Sequence, residues 1–147
     1  MQPNDAASRG RVVEGPRGRS LVAARALPAG SEVAQFDGPV VAFRAVPAEE
    51  VRYVLWIGPD QWLIPATSAR FVNHSCAPNC LVDGDLRVLT SRPVAQAEEL
   101  AFDYALAEDP DDAESFWDPR WTFTCQCGSP GCRGVIDRYV RPQEQRR

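Results

Sequence analysis

The chain has 147 residues, 44% hydrophobic and 24% charged, a balance that fits one globular domain built on a single core. No apolar run approaches the ~20 residues that cross a bilayer, and the opening MQPNDAASRGR lacks the apolar stretch of a signal peptide, so a cytoplasmic protein without a membrane partner is expected, its five cysteines serving as thiols or metal ligands rather than as a disulfide framework. A formal net charge of −4 argues against direct binding to nucleic-acid phosphates and suits a basic partner.

Residues 1–11 are polar and patternless and read as a flexible tail. Val12-Val13, then Gly15-Pro16-Arg17-Gly18-Arg19-Ser20, then Leu21-Val22-Ala23-Ala24 read as strand, glycine-bearing turn and strand. Gly18 there can bring backbone close to a ligand. After the turn Leu27-Pro28-Ala29-Gly30-Ser31, the segment Glu32 to Phe36 alternates like a half-buried strand, and Asp37-Gly38-Pro39 breaks it. Val40 to Phe43 resumes the strand pattern, Pro47-Ala48-Glu49-Glu50 opens a short helix, and Tyr53 to Ile57 pairs with Trp62-Leu63-Ile64 across Gly58-Pro59-Asp60.

The stretch 70–80, RFVNHSCAPNC, carries the only histidine and two of the five cysteines. Its asparagines, proline and small polar residues predict a turn-rich crossing rather than a helix. Leu81-Val82 and Leu86 to Leu89 flank Asp83-Gly84-Asp85, a hairpin signal, and EELAFDY at 98–104 sets two aromatics and an acid on a short segment. Glu108 to Glu114 is an acidic run with the character of a solvated loop. Many short strands and no long helical period predict a mainly β fold.

Cys125, Cys127 and Cys132 fall within eight residues, among glycines and a proline that let a short loop fold back on itself. Three thiolates at that spacing suit zinc, and a structural zinc wants four ligands, the fourth coming from Cys76, Cys80 or His74. A Ser-His-Asp catalytic triad has no support, because no glycine-flanked nucleophile elbow accompanies the histidine.

RFVNHSCAPNC at 70–80, EELAFDY at 98–104 and CQCGSPGC at 125–132 together resemble, in order and separation, a SET-domain protein-lysine methyltransferase with a post-SET zinc loop. Gly18-Arg19-Ser20 stands where that family usually has G-x-G, and Phe36-Asp37-Gly38 where it usually has Y-x-G. The resemblance implies a SET-type β-clip of several small sheets, with the 70–80 stretch in a pseudoknot-like threading through a loop closed by 98–104. It implies an organisation of SET domain at 12–107, acidic linker at 108–120, post-SET zinc segment at 121–136 and tail at 137–147.

The same resemblance implies S-adenosylmethionine as methyl donor, held by Arg17, Gly18, Arg19, Tyr53, Asn73, His74 and Gln126. It implies Tyr104 as the catalytic residue beside the methyl group, Phe102 and Phe36 on the substrate channel, and zinc on Cys76, Cys125, Cys127 and Cys132, with Cys76 chosen over Cys80. The implied substrate is a lysine side chain in a protein, for which the net charge and the acidic run Glu108 to Glu114 suit a basic segment, and Phe102 implies room for two or three methyls. Two competing readings are a catalytically weak SET module that binds a protein or cofactor, and a methyltransferase for a small amine. Self-association is compatible with either.

Overall fold

Alternation of inward and outward side chains organises the chain into short strands. The computed structural model describes residues 9–16, 18–105 and 117–140. Arg17, most of the expected linker 108–120 and the outer parts of the tails 1–11 and 137–147 lie outside the described residues. Twelve strands run from β1 (Gly10–Gly15), β2 (Gly18–Ala23), β3 (Glu32–Gln35), β4 (Val40–Val41), β5 (Leu55–Gly58) and β6 (Gln61–Leu63) to β7 (Asn73–His74), β8 (Cys80–Val82), β9 (Arg87–Thr90), β10 (Ala101–Phe102), β11 (Phe123–Thr124) and β12 (Val135–Ile136) among the described residues. Apart from Arg9, helical structure among them is confined to single 3₁₀ turns at Phe43–Ala45, Ala48–Glu50, Ser68–Phe71 and Pro119–Trp121, so the mainly β, SET-like architecture of several small sheets is what the residues build. No helix among the described residues is long and apolar enough to cross a membrane.

The strands form five small sheets, with orders β1-β2, β3-β9-β8, β4-β6-β5, β10-β7 and β11-β12. In β9, Val88 and Thr90 point into the protein while Arg87 and Leu89 are half-buried, the period of two that a one-sided strand requires. In β3 two successive residues, Val33 and Ala34, are buried, and a bulge between Glu32 and Ala34 accommodates them. The main core gathers Leu21, Val33, Val72, Val88 and Leu100. Two smaller clusters stand beside it: one joins Cys76 and Ala105 to Cys125 and Ile136, and the other joins Val51 and Trp62 to Phe43 and Trp121.

The expected hairpins are present: β8 pairs antiparallel with β9, β5 with β6, and β1 with β2. Several boundaries differ from expectation. The strand expected at Val40 to Phe43 stops at Val41, because the Phe43 amide donates to Asp60 Oδ1 (2.9 Å) and its ring packs edge-on against Trp62 (5.0 Å), which turns the backbone into a 3₁₀ turn. Tyr53 is not yet strand: its amide donates to the Glu50 carbonyl (2.9 Å), prolonging the preceding turn. Leu86 belongs to the β8–β9 turn, at φ 65°, where Asp83 Oδ1 accepts from the amides of Asp85 and Arg87. The pairing of β11 with β12 has no counterpart among the expected elements.

Gly38 marks the tightest crossing. Its φ is 153°, and a Cβ there would lie 2.0 Å from the Ile64 carbonyl oxygen, while the Ile64 amide donates to Pro39 O and the Ala66 amide to Asp37 O (both 2.8 Å). Neither backbone can yield without breaking those bonds. Gly38→Ala is therefore expected to cost about 3 kcal/mol, read as a urea midpoint lowered by about 1–2 M at unchanged slope. An unshifted midpoint would refute the crossing.

Candidate active site and cysteine cluster

The stretch after Ala69 is fixed at its start by Arg70. Its guanidinium forks onto Glu50 (Nη1 to Oε1 2.6 Å, Nη2 to Oε2 3.2 Å), donates to the Pro65 carbonyl (3.1 Å) and lies 4.0 Å from the centroid of the Tyr53 ring. Tyr53 is thus held under Arg70. Beyond it, β7 runs parallel to β10, with Asn73 opposite Ala101 and His74 opposite Phe102. Val72, His74 and Cys76 alternate inward, so the strand period aims the imidazole and the thiol into the same interior.

Asn79 fastens the far end of the stretch. It is buried, its Oδ1 accepts from the Ala101 amide (2.9 Å), and its Nδ2 donates to the Glu99 carbonyl (2.8 Å) and to Glu98 Oε2 (3.2 Å). Asn73 is half-buried and donates to Glu99 Oε2 (2.9 Å) and to the Arg19 carbonyl (3.4 Å), which ties β7 to the start of β2, next to the β1–β2 turn. Gly18 in that turn has φ 88° and open space where a side chain would be. Arg19 is exposed, paired with Glu14 (2.9 Å) and set over the Phe71 ring (5.6 Å).

A polar cavity lies between these parts, lined among others by His74, Ser75, Asn79, Glu98, Glu99 and Cys127. Carboxylates, an amide, a hydroxyl and an imidazole around one space, next to an unobstructed glycine turn, fit a polar cofactor such as a nucleoside derivative. Cys127 brings the cysteine loop to the wall of the cavity. Gln126, beside it, is exposed.

Aromatic rings form a wall around Tyr104. Phe36, buried, meets Phe102 edge-on at 5.9 Å, and Phe102 lies 4.9 Å from Tyr104. Tyr104 is 38% exposed. Its hydroxyl donates to the Val72 carbonyl, and its amide donates to His74 Nδ1 (3.0 Å). Because an amide can only donate, Nδ1 is an acceptor, the ring proton sits on Nε2, and Nε2 points at Cys76 Sγ (3.4 Å). The imidazole therefore links the tyrosine to the cysteines. Asp103, fully buried, accepts the Ala105 amide on Oδ1 (3.0 Å) and is gripped by Arg133 on both oxygens (2.9 and 3.0 Å).

The sulfurs of Cys76, Cys125, Cys127 and Cys132 all lie within 4.8 Å of one another. Zinc–sulfur bonds of about 2.3 Å in a tetrahedron place sulfurs about 3.8 Å apart, and Cys76 Sγ is 3.8 Å from Cys125 Sγ. The donor set fits zinc. Burial pushes up the Cys76 and Cys125 thiols. Burial acts in the same direction on Cys127, but hydrogen bonds from the Ser129 hydroxyl and amide outweigh it and bring that thiol down to about 5. Cys80 stands apart in the main core, its thiol pushed up to about 12 by burial, an inert apolar group.

Three contributors escaped the reading of the sequence. Phe123 sets its ring against His74 (5.4 Å) and Tyr104 (6.3 Å), closing the aromatic wall from the cysteine segment. Asn79 and Arg133 are the others, and only the position of Arg133 directly after Cys132 hints at a role.

Comparison with known proteins agrees with this geometry. The family model described as "SET domain" matches residues 18–105. An H3 lysine-4 specific histone-lysine N-methyltransferase of Schizosaccharomyces pombe is 30% identical over 124 residues, covering 71% of this chain and 12% of the relative. The human histone-lysine N-methyltransferase SETD2 is 31% identical over 139 residues, covering 82% of this chain and 5% of that protein. The chain thus spans a small part of the curated relatives it matches. Among solved structures, the crystal structure of KRYPTONITE in complex with mCHH DNA, an H3(1-15) peptide and SAH superposes with a TM-score of 0.62 at 26% identity, over 84% of this chain and 28% of that one.

Proposed function

The chain belongs to the SET-domain family, and from that premise we propose that it transfers a methyl group from S-adenosylmethionine to the side-chain amine of a lysine in a protein, adding two or three methyls. The observation that carries the reading is that His74 lines the polar cavity and packs edge-on against Tyr104 (5.5 Å), whose ring meets the Phe36–Phe102 pair. Gly18, Arg19, Asn73, His74 and Gln126 are proposed to hold the donor, which when bound supplies an electrophilic methyl on a sulfonium. Zinc on the four cysteines is proposed to hold the cavity wall formed by Cys127.

In-line displacement needs no covalent intermediate, so acceleration comes from alignment and from delivery of a neutral amine. A free lysine amine has a pKa of about 10.4, and an apolar channel disfavours its charged form. Phe36 and Phe102 supply that surface and keep water from the attacking nitrogen. The Tyr104 hydroxyl proton is committed to Val72 O, so its oxygen faces the methyl as an acceptor and can steer it by weak C–H···O contacts.

With phenylalanine at both 36 and 102, Tyr104 is the only one of the three rings that carries a hydroxyl. Nothing polar on the phenylalanines then fixes the amine, and a methylated amine can turn for another round. Phe102→Tyr is expected to shift the product to the monomethyl state by mass spectrometry, and an unchanged product distribution would overturn the multiple-methylation proposal.

The test of the function is incubation with labelled S-adenosylmethionine and a lysate of the source cells. Label recovered as methyl-lysine in a protein supports the reading. Label confined to small amines, or none, sinks it. The chain contains no lysine, so methyl-lysine cannot arise from the enzyme itself. The missing hydroxyl at Phe36 favours a second reading, a SET module that binds its ligands without transfer, which predicts S-adenosylmethionine binding with no labelled protein.

A further inference from the structure

Asp103 and Arg133 are not a surface pair. The carboxylate is fully buried and the guanidinium side chain is 19% exposed, and the contact is a fork of 2.9 and 3.0 Å, the geometry that arginine provides and lysine cannot. Oδ1 of the same carboxylate also accepts the Ala105 amide (3.0 Å). The carboxylate therefore spans Tyr104, belonging to the residue before it and bonding the amide of the residue after it.

Arg133 has a second hold. Its amide donates to Cys76 Sγ (3.4 Å), the same sulfur faces His74 Nε2 (3.4 Å), and His74 Nδ1 accepts the Tyr104 amide (3.0 Å). Side chain and main chain of one residue close a ring of hydrogen bonds around Tyr104. Oδ1 of Asp103 also lies 3.5 Å from His74 Nδ1; both atoms are acceptors, so it is the arginine fork and the Ala105 amide that hold the carboxylate beside the nitrogen that takes the Tyr104 amide.

We propose that Arg133 is a positioning residue for Tyr104, fixing the backbone on both sides of the tyrosine through Asp103 and coupling that backbone to the cysteine loop. The proposal rests on the reading of Tyr104 as the residue beside the transferred methyl. A loss of alignment on the order of 1 Å at a displacement costs about 100-fold, so the effect belongs in turnover rather than in binding.

Arg133→Ala and Asp103→Asn, separately and together, are compared with Tyr104→Phe, using labelled S-adenosylmethionine and an H3(1–15) peptide. Each single change is expected to lower kcat about 10- to 100-fold, with both KM values within about threefold and zinc near one per chain. The double change should be no worse than the singles, because the two residues act as one unit. Millimolar guanidinium should partly restore Arg133→Ala and leave Asp103→Asn unrestored. Independently of any substrate, amide exchange at Tyr104 and Ala105 should accelerate in both variants while β1–β2 stays unchanged.

Wild-type kcat and exchange in both variants would overturn the proposal. So would loss of zinc in Arg133→Ala beside an unaltered Asp103→Asn, since Arg133 would then serve the metal loop alone. Should Arg133→Ala fail to fold, Asp103→Asn carries the decision by itself. Exchange changes together with a wild type that shows no Tyr104-dependent transfer would remove the reading of the site and leave the grip on Tyr104 standing.

Discussion

Cys76→Ser is expected to lower metal content from about one zinc per chain to near zero and to release the 123–140 segment from the body of the protein. The cluster that holds this segment has four buried members, Cys76, Ala105, Cys125 and Ile136, and its half-buried neighbours include Cys127 and Cys132. Cysteines thus make up much of what packs there. The ribbon β11–β12, of two residue pairs, is far below what a lone hairpin needs to persist in water, and the polar ties to the body are few: the Arg133–Asp103 fork, the Arg133 amide to Cys76 Sγ and the Val140 amide to the Ala105 carbonyl (2.8 Å). A structural zinc supplies an apparent 10 kcal/mol or more in small zinc-dependent peptides, so a metal bound to these four cysteines would be the largest single restraint on the segment.

Serine keeps the volume of Cys76 and its hydrogen-bonding ability but gives no thiolate, which isolates the metal effect. Limited proteolysis should cut the variant between residues 105 and 125 while a fragment containing β1 to β10 survives. Metal uptake should also release protons. With Cys76 and Cys125 pushed up by burial they enter as thiols at neutral pH, whereas Cys127, near 5, enters as thiolate. Adding zinc to stripped protein in weak buffer should therefore liberate about two protons or more per ion. A metal-free wild type with an intact, protease-resistant C-terminal segment would refute the assignment.

What could be read in advance followed the range of the interaction. The proximity of Cys125, Cys127 and Cys132 was legible because a glycine- and proline-rich loop of eight residues can bring three thiols together. Spacing alone left Cys76 equal to Cys80 and His74, and only the family resemblance singled it out; what separates the two cysteines physically is burial in different clusters. The β8–β9 hairpin was legible from Asp83-Gly84-Asp85, yet its turn ends at Leu86 because Asp83 takes two amides onto one oxygen. A strand ran on to Phe43 in the sequence pattern, but aromatic packing with Trp62 and Trp121 overrode local alternation.

The pair Asp103–Arg133 shows the limit most plainly. An acid amid Ala101, Phe102 and Tyr104 announces a buried charge that must be matched, but thirty residues separate it from its partner and no periodicity connects them. Phe123 has the same status. Its period-two pattern is too short to read, and only the pairing with Ile136 turns its ring toward His74 and Tyr104.

Tyr104→Phe isolates one oxygen. Its ring neighbours, Phe102 at 4.9 Å and His74 at 5.5 Å, need no hydroxyl, and the amide bond to His74 Nδ1 is main-chain. The ring should stay where it is. Removing the hydroxyl leaves the Val72 carbonyl without that donor, a loss of about 1 kcal/mol, so the variant should fold, hold one zinc and bind S-adenosylmethionine within about threefold. Transfer to protein lysine should nevertheless fall about 100-fold if, as proposed, this oxygen steers the methyl, because alignment dominates an in-line displacement. The contrast with Cys76→Ser separates chemistry from scaffold: there metal, segment and activity are lost together, whereas here activity alone is lost. Binding that weakens in step with turnover would make Tyr104 part of the donor site, and undiminished transfer would show that the methyl is steered from elsewhere.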